Sequence, residues 1–270
     1  MHSTANGDER VDYIPRVSSI RLVDLASSIV LRNQKMLHRI LEAFSRVTKS
    51  QYLLFNSNYE LESQAIDVLK ADLPMPIYTI GPTIPYFNLG KNYLESNNLN
   101  DLNHVEWLDF QPRSSVLYIS MGSFLSFSSA QIDDIAAGLH DSGVRFLWVA
   151  RGGFWTHYGW SSTQEAVFCG VPLFTFLIGM EQMQNSKLIV EDWKIGWRVK
   201  QDVRGESLVT REEIARLVQR FMNLERNEMK EIRTRASELQ QICQQATAKN
   251  GSSEISINAF VKDLSKCNGR

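Results

Sequence analysis

Residues 116–150 place the tightest limit on the fold. Val116-Leu117-Tyr118-Ile119-Ser120-Met121 is a continuous apolar run, the pattern of a strand buried on both faces. Gly122-Ser123 makes a tight turn. Ser128, with Gln131 three residues on, has the spacing of a capping box, and Ile132, Ile135, Ala136 and Leu139 recur at helical period until Gly143. Arg145 to Ala150 is a second apolar run. Strand, glycine turn, helix, strand is a βαβ unit, which builds a parallel sheet with ligands at the carboxyl ends of its strands. The turn lacks the G-x-G-x-x-G of dinucleotide folds and the G-K-[ST] of a P-loop. The fold class is therefore α/β with a parallel sheet.

The second organising stretch is 152–185. Phe154 and Trp155 read as the end of a short strand, and His157, Tyr158 and Gly159 as a polar turn into a helix. Ser162 and Glu165 have capping-box spacing, Gly170 can close the helix and Pro172 enforces the stop. A helix start rich in small hydroxyl residues suits a phosphate, with His157, Ser161 and Ser162 available to the anion and Glu165 to sugar hydroxyls. The same spacing also fits a plain helix cap beside an ordinary loop histidine. A nucleophile elbow is excluded, because Gly159-Trp160-Ser161-Ser162-Thr163 has no second glycine.

Composition narrows the class. Of 270 residues 43% are hydrophobic and 22% charged, ordinary values for a globular protein of one large or two modest domains. The net charge of −1 offers no bulk attraction to nucleic acid or anionic lipid. Cys169, Cys243 and Cys267 are widely spaced, which argues against disulfides and zinc and for a reducing compartment. No apolar run reaches membrane-spanning length, and Met1 to Asp12 carries no signal-peptide core, so the cytosol is the expected location.

Elsewhere, 1–12 reads as a ragged or disordered start and 20–47 as one or two helices. Tyr52 to Asn56 reads as a buried strand, Glu60 to Leu69 as a helix and Ile77 to Ile80 as a strand. Residues 82–104, rich in Asn with Pro82, Pro85 and Gly90, read as a linker. Leu173 to Ile178 predicts a strand, Gln184 to Asp192 a helix and Ile195 to Val199 a strand. Thr210 with Glu213 caps a helix over 211–223, followed by helices over 226–248 and 253–265.

The run Gly-Phe-Trp-Thr-His-Tyr-Gly-Trp-Ser-Ser-Thr-Gln-Glu over 153–165, followed by Gly170-Val171-Pro172 and Glu181-Gln182 with Asn185, resembles the sugar-nucleotide signature of plant UDP-glycosyltransferases. Val11-Asp12-Tyr13-Ile14-Pro15, Tyr59-Glu60-Leu61-Glu62, Ile80-Gly81-Pro82, the 116–123 strand and turn, and Phe146 to Arg151 resemble family segments in family order. The resemblance implies a two-domain GT-B enzyme, here a doubly wound, Rossmann-like C-terminal parallel-sheet domain with a remnant of the N-terminal α/β domain, that moves a sugar from a UDP-sugar to a hydroxyl of a small plant metabolite, with inversion and no metal or other cofactor. It makes Ser123, His157, Gly159, Trp160, Ser161, Ser162, Glu165, Glu181 and Gln182 the donor-binding set. In it His157 and Ser162 face the diphosphate, Glu165 the ribose, and Glu181 and Gln182 the sugar. Gln182 favours glucose. Trp160 fits equally as a packed aromatic. Tyr158 stands in place of a cysteine, Ser161 of an asparagine and Leu177 of a proline.

Two family segments have no counterpart. The half that carries the catalytic histidine and aspartate should precede Val11, and none of His2, His38, His104 or His140 stands in a matching motif, so no catalytic residue is assigned. The uracil-stacking segment should lie at Gly152-Gly153, where Arg151 runs almost directly into Phe154. Parallel strands need a crossover of roughly a dozen residues or more, and two glycines supply only a hairpin or a kink. The expected division is a remnant of the acceptor domain over 1–81, a linker over 82–104, an incomplete donor domain over 105–250 with the deletion near 152–153, and a terminal helix over 251–270. A sheet short of one strand would expose apolar edges, which leaves three readings: a transferase by descent, a non-catalytic fragment that binds nucleotide or pairs with a full-length relative, and a gene-model product.

Overall fold

The computed structural model describes residues 9–12, 19–21, 34–84, 99–120, 129–149, 159–175, 182–199 and 209–267. Strand β1 (Arg10–Val11) pairs antiparallel with β2 (Ile20–Arg21), placing Val11 opposite Ile20, both buried. The ragged reading is thus corrected at Arg10 and Val11, and the helical reading at Ile20, which the cross-strand apolar pair holds extended. Helix α1 covers Gln34–Val47, and residues 1–8 and 22–33 lie outside the described residues. Strand β3 (Leu53–Phe55), helix α2 (Tyr59–Asp72) and β4 (Ile77–Thr79) form a parallel βαβ unit, with Leu53 opposite Ile77. Helix α3 (Leu99–Asp109) begins within the stretch expected to be a linker over 82–104.

The expected βαβ unit is present. Strands β5 (Val116–Ser120) and β6 (Arg145–Val149) are parallel in a five-residue register, joined by α4 (Ser129–Asp141). Gly143, at φ +65°, stands just past the end of α4. Ser128, the other half of the expected capping box, lies outside the described residues. The buried amide of Gln131 exchanges two hydrogen bonds with the backbone of Val209, 3.1 and 3.3 Å long. Helix α5 (Trp160–Phe168) leads to β7 (Leu173–Thr175). Helix α6 (Gln182–Lys187) runs into a π-helical turn over Leu188–Asp192, and β8 (Gly196–Arg198) returns parallel to β7. Among the described residues the β5/β6 and β7/β8 pairs are separate. The strand expected at 154–157 lies outside the described residues, as does the Gly152-Gly153 junction.

Helices α7 (Arg211–Met222), α8 (Asn227–Thr247) and α9 (Ser252–Cys267) complete the chain. Ile135 and Leu139 of α4 meet Ile214, Val218 and Phe221 of α7 over the β5/β6 pair, with Met229 and Ile232 of α8 closing the cluster. Gly138 permits this crossing, since a Cβ there would lie 2.7 Å from the Arg211 carbonyl and from Ile214. A second core joins Val167 and Phe168 of α5 to Leu173, Ile189, Ile195, Ala236 and Cys243, with Leu61 of α2 against it. Helix α9 lies on β4. There Tyr52, Tyr78 and Phe260 pack ring on ring, with centroids 5.5 to 6.2 Å apart.

Candidate functional site

The site is the start of α5. Its N-cap is Gly159, a residue with no side chain to cap the helix. The first intrahelical bond runs from Thr163 N–H to the Gly159 carbonyl, 3.1 Å. The N–H groups of Trp160, Ser161 and Ser162 therefore occupy the first turn ahead of the helical ladder, at the positive end of the helix dipole. The capping box expected from Ser162 and Glu165 does not form, because the helix begins three residues before the position that motif requires. Both side chains sit inside the helix instead.

Alternation round the helix then sorts the residues. Thr163, Gln164, Val167 and Phe168 are buried. Ser161 and Glu165 are exposed, one turn apart on the same face, with Ser162 half-buried beside them. The structure thus gathers Gly159, Ser161, Ser162 and Glu165 at one polar helix start. The far end closes as expected. Gly170, at φ +67°, donates to the Val167 carbonyl, and Val171 donates to the Ala166 carbonyl, the paired bonds of a Schellman stop.

Trp160 turns away from this stripe. Its indole N–H donates to the Asn56 carbonyl at 2.5 Å, and its ring packs at 44° on Trp193 with centroids 6.1 Å apart. Gln164, one turn on, donates to the same carbonyl at 2.9 Å. Ser123, His157 and Glu181 lie outside the described residues. Gln182 opens α6, and its side chain also lies outside them.

Helix α6 is anchored from below by residues that the motif search passed over. The hydroxyls of Thr175 and Ser186 are 3.0 Å apart, Arg198 Nε donates to Ser186 Oγ at 3.0 Å, and buried Lys187 spans both carboxylate oxygens of Asp192 at 3.0 Å. These residues come from separate elements, so no local spacing announces them. Asn56-Ser57-Asn58 did carry a signal. Three polar residues directly after an apolar strand mark a turn whose backbone must find partners.

No described histidine stands at this site. His38 and His104 are exposed on α1 and α3. His140 Nδ1 is 3.4 Å from Asp141, but that carboxylate is already held by Arg211, whose guanidinium keeps it below the ordinary carboxylate range. The pair also sits where α4 runs into β6, at the amino end of the strands, opposite to where such sheets bind ligands. Among the described residues no His, Cys, Asp or Glu cluster could hold a metal, and no helix is long and apolar enough to cross a membrane.

No family model matches the sequence. UDP-glycosyltransferase 87A1 of Arabidopsis thaliana is 41% identical, covering 96% of this chain and 65% of its own length. UDP-glycosyltransferase 87A2 of the same plant is 39% identical, covering 97% and 64%. The chain thus spans just under two thirds of the curated relatives it matches. The first alignment runs over 291 residues, more than the 270 of this chain, so the relative has residues inside the matched span that this chain lacks. The structure of Phytolacca americana UGT2 with UDP-2-fluoro-glucose and pterostilbene superposes with a TM-score of 0.79 at 28% identity, over 95% of this chain and 63% of that one. Sequence and fold agree, and the chain belongs to the plant UDP-glycosyltransferase family, with the α/β architecture of a GT-B enzyme.

Proposed function

We propose that this chain carries the donor side of a UDP-sugar-dependent hexosyl transfer to a hydroxyl of a small plant metabolite, with UDP-glucose as donor. The observation that carries the reading is the start of α5, with glycine at the N-cap position and Ser161, Ser162 and Glu165 gathered on it. Diphosphate oxygens accept the N–H groups of Trp160, Ser161 and Ser162 and the Ser162 hydroxyl. The Glu165 carboxylate accepts from the two ribose hydroxyls. His157 and Ser123 complete the phosphate contacts, and Glu181 and Gln182 take the sugar.

In the transfer the acceptor oxygen bonds to the anomeric carbon, the bond to the diphosphate breaks, and the acceptor proton goes to a base. Negative charge develops on the leaving diphosphate, where fixed N–H dipoles are most effective. No residue of this chain is assigned as the base. Residues 1–81 form the acceptor side, 82–104 the linker, 105–250 the donor domain with its deletion near 152–153, and 251–270 the returning helix. The cytosol is the location that its thiols favour; Cys169 and Cys243 are free.

Thermal unfolding with and without UDP-glucose tests the donor site. Ligand at 100 times its dissociation constant adds about 2.7 kcal/mol to the native state. An upward shift that Glu165→Ala abolishes supports the reading, and a melt indifferent to UDP-glucose overturns it. The exposed apolar side chains Phe44, Leu41 and Leu54 favour a second reading, pairing with a full-length relative. Its readout is co-purification with an intact transferase, and strict monomer behaviour beside one refutes it.

A further inference from the structure

We propose that the turn Asn56-Ser57-Asn58 is a latch that positions the donor helix, so that donor affinity is set in part by residues on the acceptor side of the chain. The proposal rests on the donor reading of α5 given above. It concerns positioning, since neither Asn56 nor the side chains of Trp160 and Gln164 are assigned to the ligand by their hydrogen bonds.

The geometry is a convergence of two donors on one oxygen. Trp160 and Gln164 are one helical turn apart on the inner face of α5. Their Nε1 and Nε2 atoms reach the Asn56 carbonyl at 2.5 and 2.9 Å. A carbonyl oxygen has two lone pairs, and both are engaged. Successive residues of a helix are separated by about 100°, so fixing two points on one face fixes the direction in which Ser161, Ser162 and the first-turn N–H groups point. A change in the rotation of so short a helix would move the whole anion site.

The acceptor oxygen is itself a rigid post. Asn56 Oδ1 accepts the Thr83 N–H at 2.9 Å, and the Ser57 carbonyl accepts the Gly81 N–H at 3.1 Å. Asn58 Nδ2 donates to the Gly81 carbonyl and to Ser253 Oγ, each at 3.1 Å, and Ser253 Oγ donates to the same carbonyl at 2.8 Å. Ser57, Asn58 and Ser253 are buried. Gly81 lies so close that a Cβ there would sit 2.5 Å from the Ser57 nitrogen. Three segments far apart in sequence thus meet at one turn, and the donor helix hangs from its carbonyl.

Trp160→Phe keeps an aromatic ring against Trp193 and removes the donor together with the second ring of the indole. Measured well below the melting transition, UDP should bind it roughly tenfold more weakly than the parent chain, the effect of losing one buried hydrogen bond. Unchanged UDP affinity, even with a lowered melting point, overturns the positioning role. If the parent chain binds no UDP, the donor reading fails, and the latch is read without nucleotide. Of the six tryptophan indole N–H signals in a 15N spectrum, the one missing from Trp160→Phe belongs to Trp160. Slow solvent exchange of that signal in the parent chain upholds the latch, and exchange as fast as a free indole overturns it.

Discussion

Two parts of this molecule are built on the same unit, a pair of parallel strands joined by a helix, and they are held together by different forces. The β5/β6 pair is overlaid by α4, α7 and α8, which bring seven buried side chains into one apolar cluster with Leu117 of β5 and Val209. The β3/β4 pair is covered unevenly: β4 is buried throughout, while Leu54 remains 41% exposed on β3, and Leu41 and Phe44 of α1 stand at 58% and 67%. Beside the Tyr52, Tyr78 and Phe260 rings, what fixes β3 and β4 to the rest is a set of directed polar contacts: Asn58 and Ser253 on Gly81, Tyr78 on Asp263, and Trp160 and Gln164 on Asn56. Apolar packing supplies bulk stability in proportion to area. Directed hydrogen bonds supply less, but they decide where one part sits on another.

The largest effect should come from the packed side. Phe221 is buried, stacks on Phe174 at 4.9 Å and meets Trp197 edge-on at 5.9 Å. Phe221→Ala should lose about 3–5 kcal/mol in denaturant unfolding followed by circular dichroism, a large part of the roughly 5–15 kcal/mol that holds a typical domain. If Leu54→Ala cost as much, the contrast between the two parts would be wrong.

A smaller effect is expected at the polar attachment of α9. The Tyr78 hydroxyl donates to Asp263 Oδ2 at 2.5 Å, and this bond to the carboxylate, ahead of burial, pushes the phenol up to about 12. Lys266 first, and Tyr78 second, hold the Asp263 carboxyl below its ordinary value. The two signs are opposite. A phenol raised in the folded state contributes stability that is complete below pH 10 and disappears as pH rises through about 12. A depressed carboxyl contributes above its ordinary range and loses that contribution as pH falls through the depressed value. Tyr78→Phe should therefore flatten the alkaline limb of a stability profile. An unchanged limb between pH 10 and 12 would remove the bond from the account.

The sequence displays one motif, S/T-x-x-E/Q, at three helix starts, and the outcomes differ. Thr210 and Glu213 form the box as read, at 3.3 and 3.2 Å. Gln131 exchanges hydrogen bonds with Val209, 78 residues distant, while Ser128 lies outside the described residues. Ser162 and Glu165 are displaced because α5 starts at Gly159, and its first turn is fastened to Asn56, 104 residues from Trp160. Local spacing decides a cap only where no distant partner competes for the same groups. The βαβ order, the family and the Gly170 stop were legible because each depends on a contiguous run. The Thr175, Ser186 and Arg198 anchor and the Asn56 latch were not, because each is assembled across elements.

The smallest effect should fall on α1. Phe44 is two-thirds exposed, and the helix has Leu41 exposed beside it one turn back. Little area leaves water when this helix folds against the chain, so little can be lost by making it polar. Phe44→Ser should change the unfolding free energy by no more than about 0.5 kcal/mol, within the error of a good denaturant titration. Its solution behaviour should change more. An apolar pair on a free helix face drives association with other apolar surfaces, so the variant should run closer to monomer size in concentrated solution than the parent chain. A loss on the scale of Phe221→Ala would mean that α1 is packed in solution as tightly as α7, and the division of this molecule into an apolar body and a polar-tethered part would have to be abandoned.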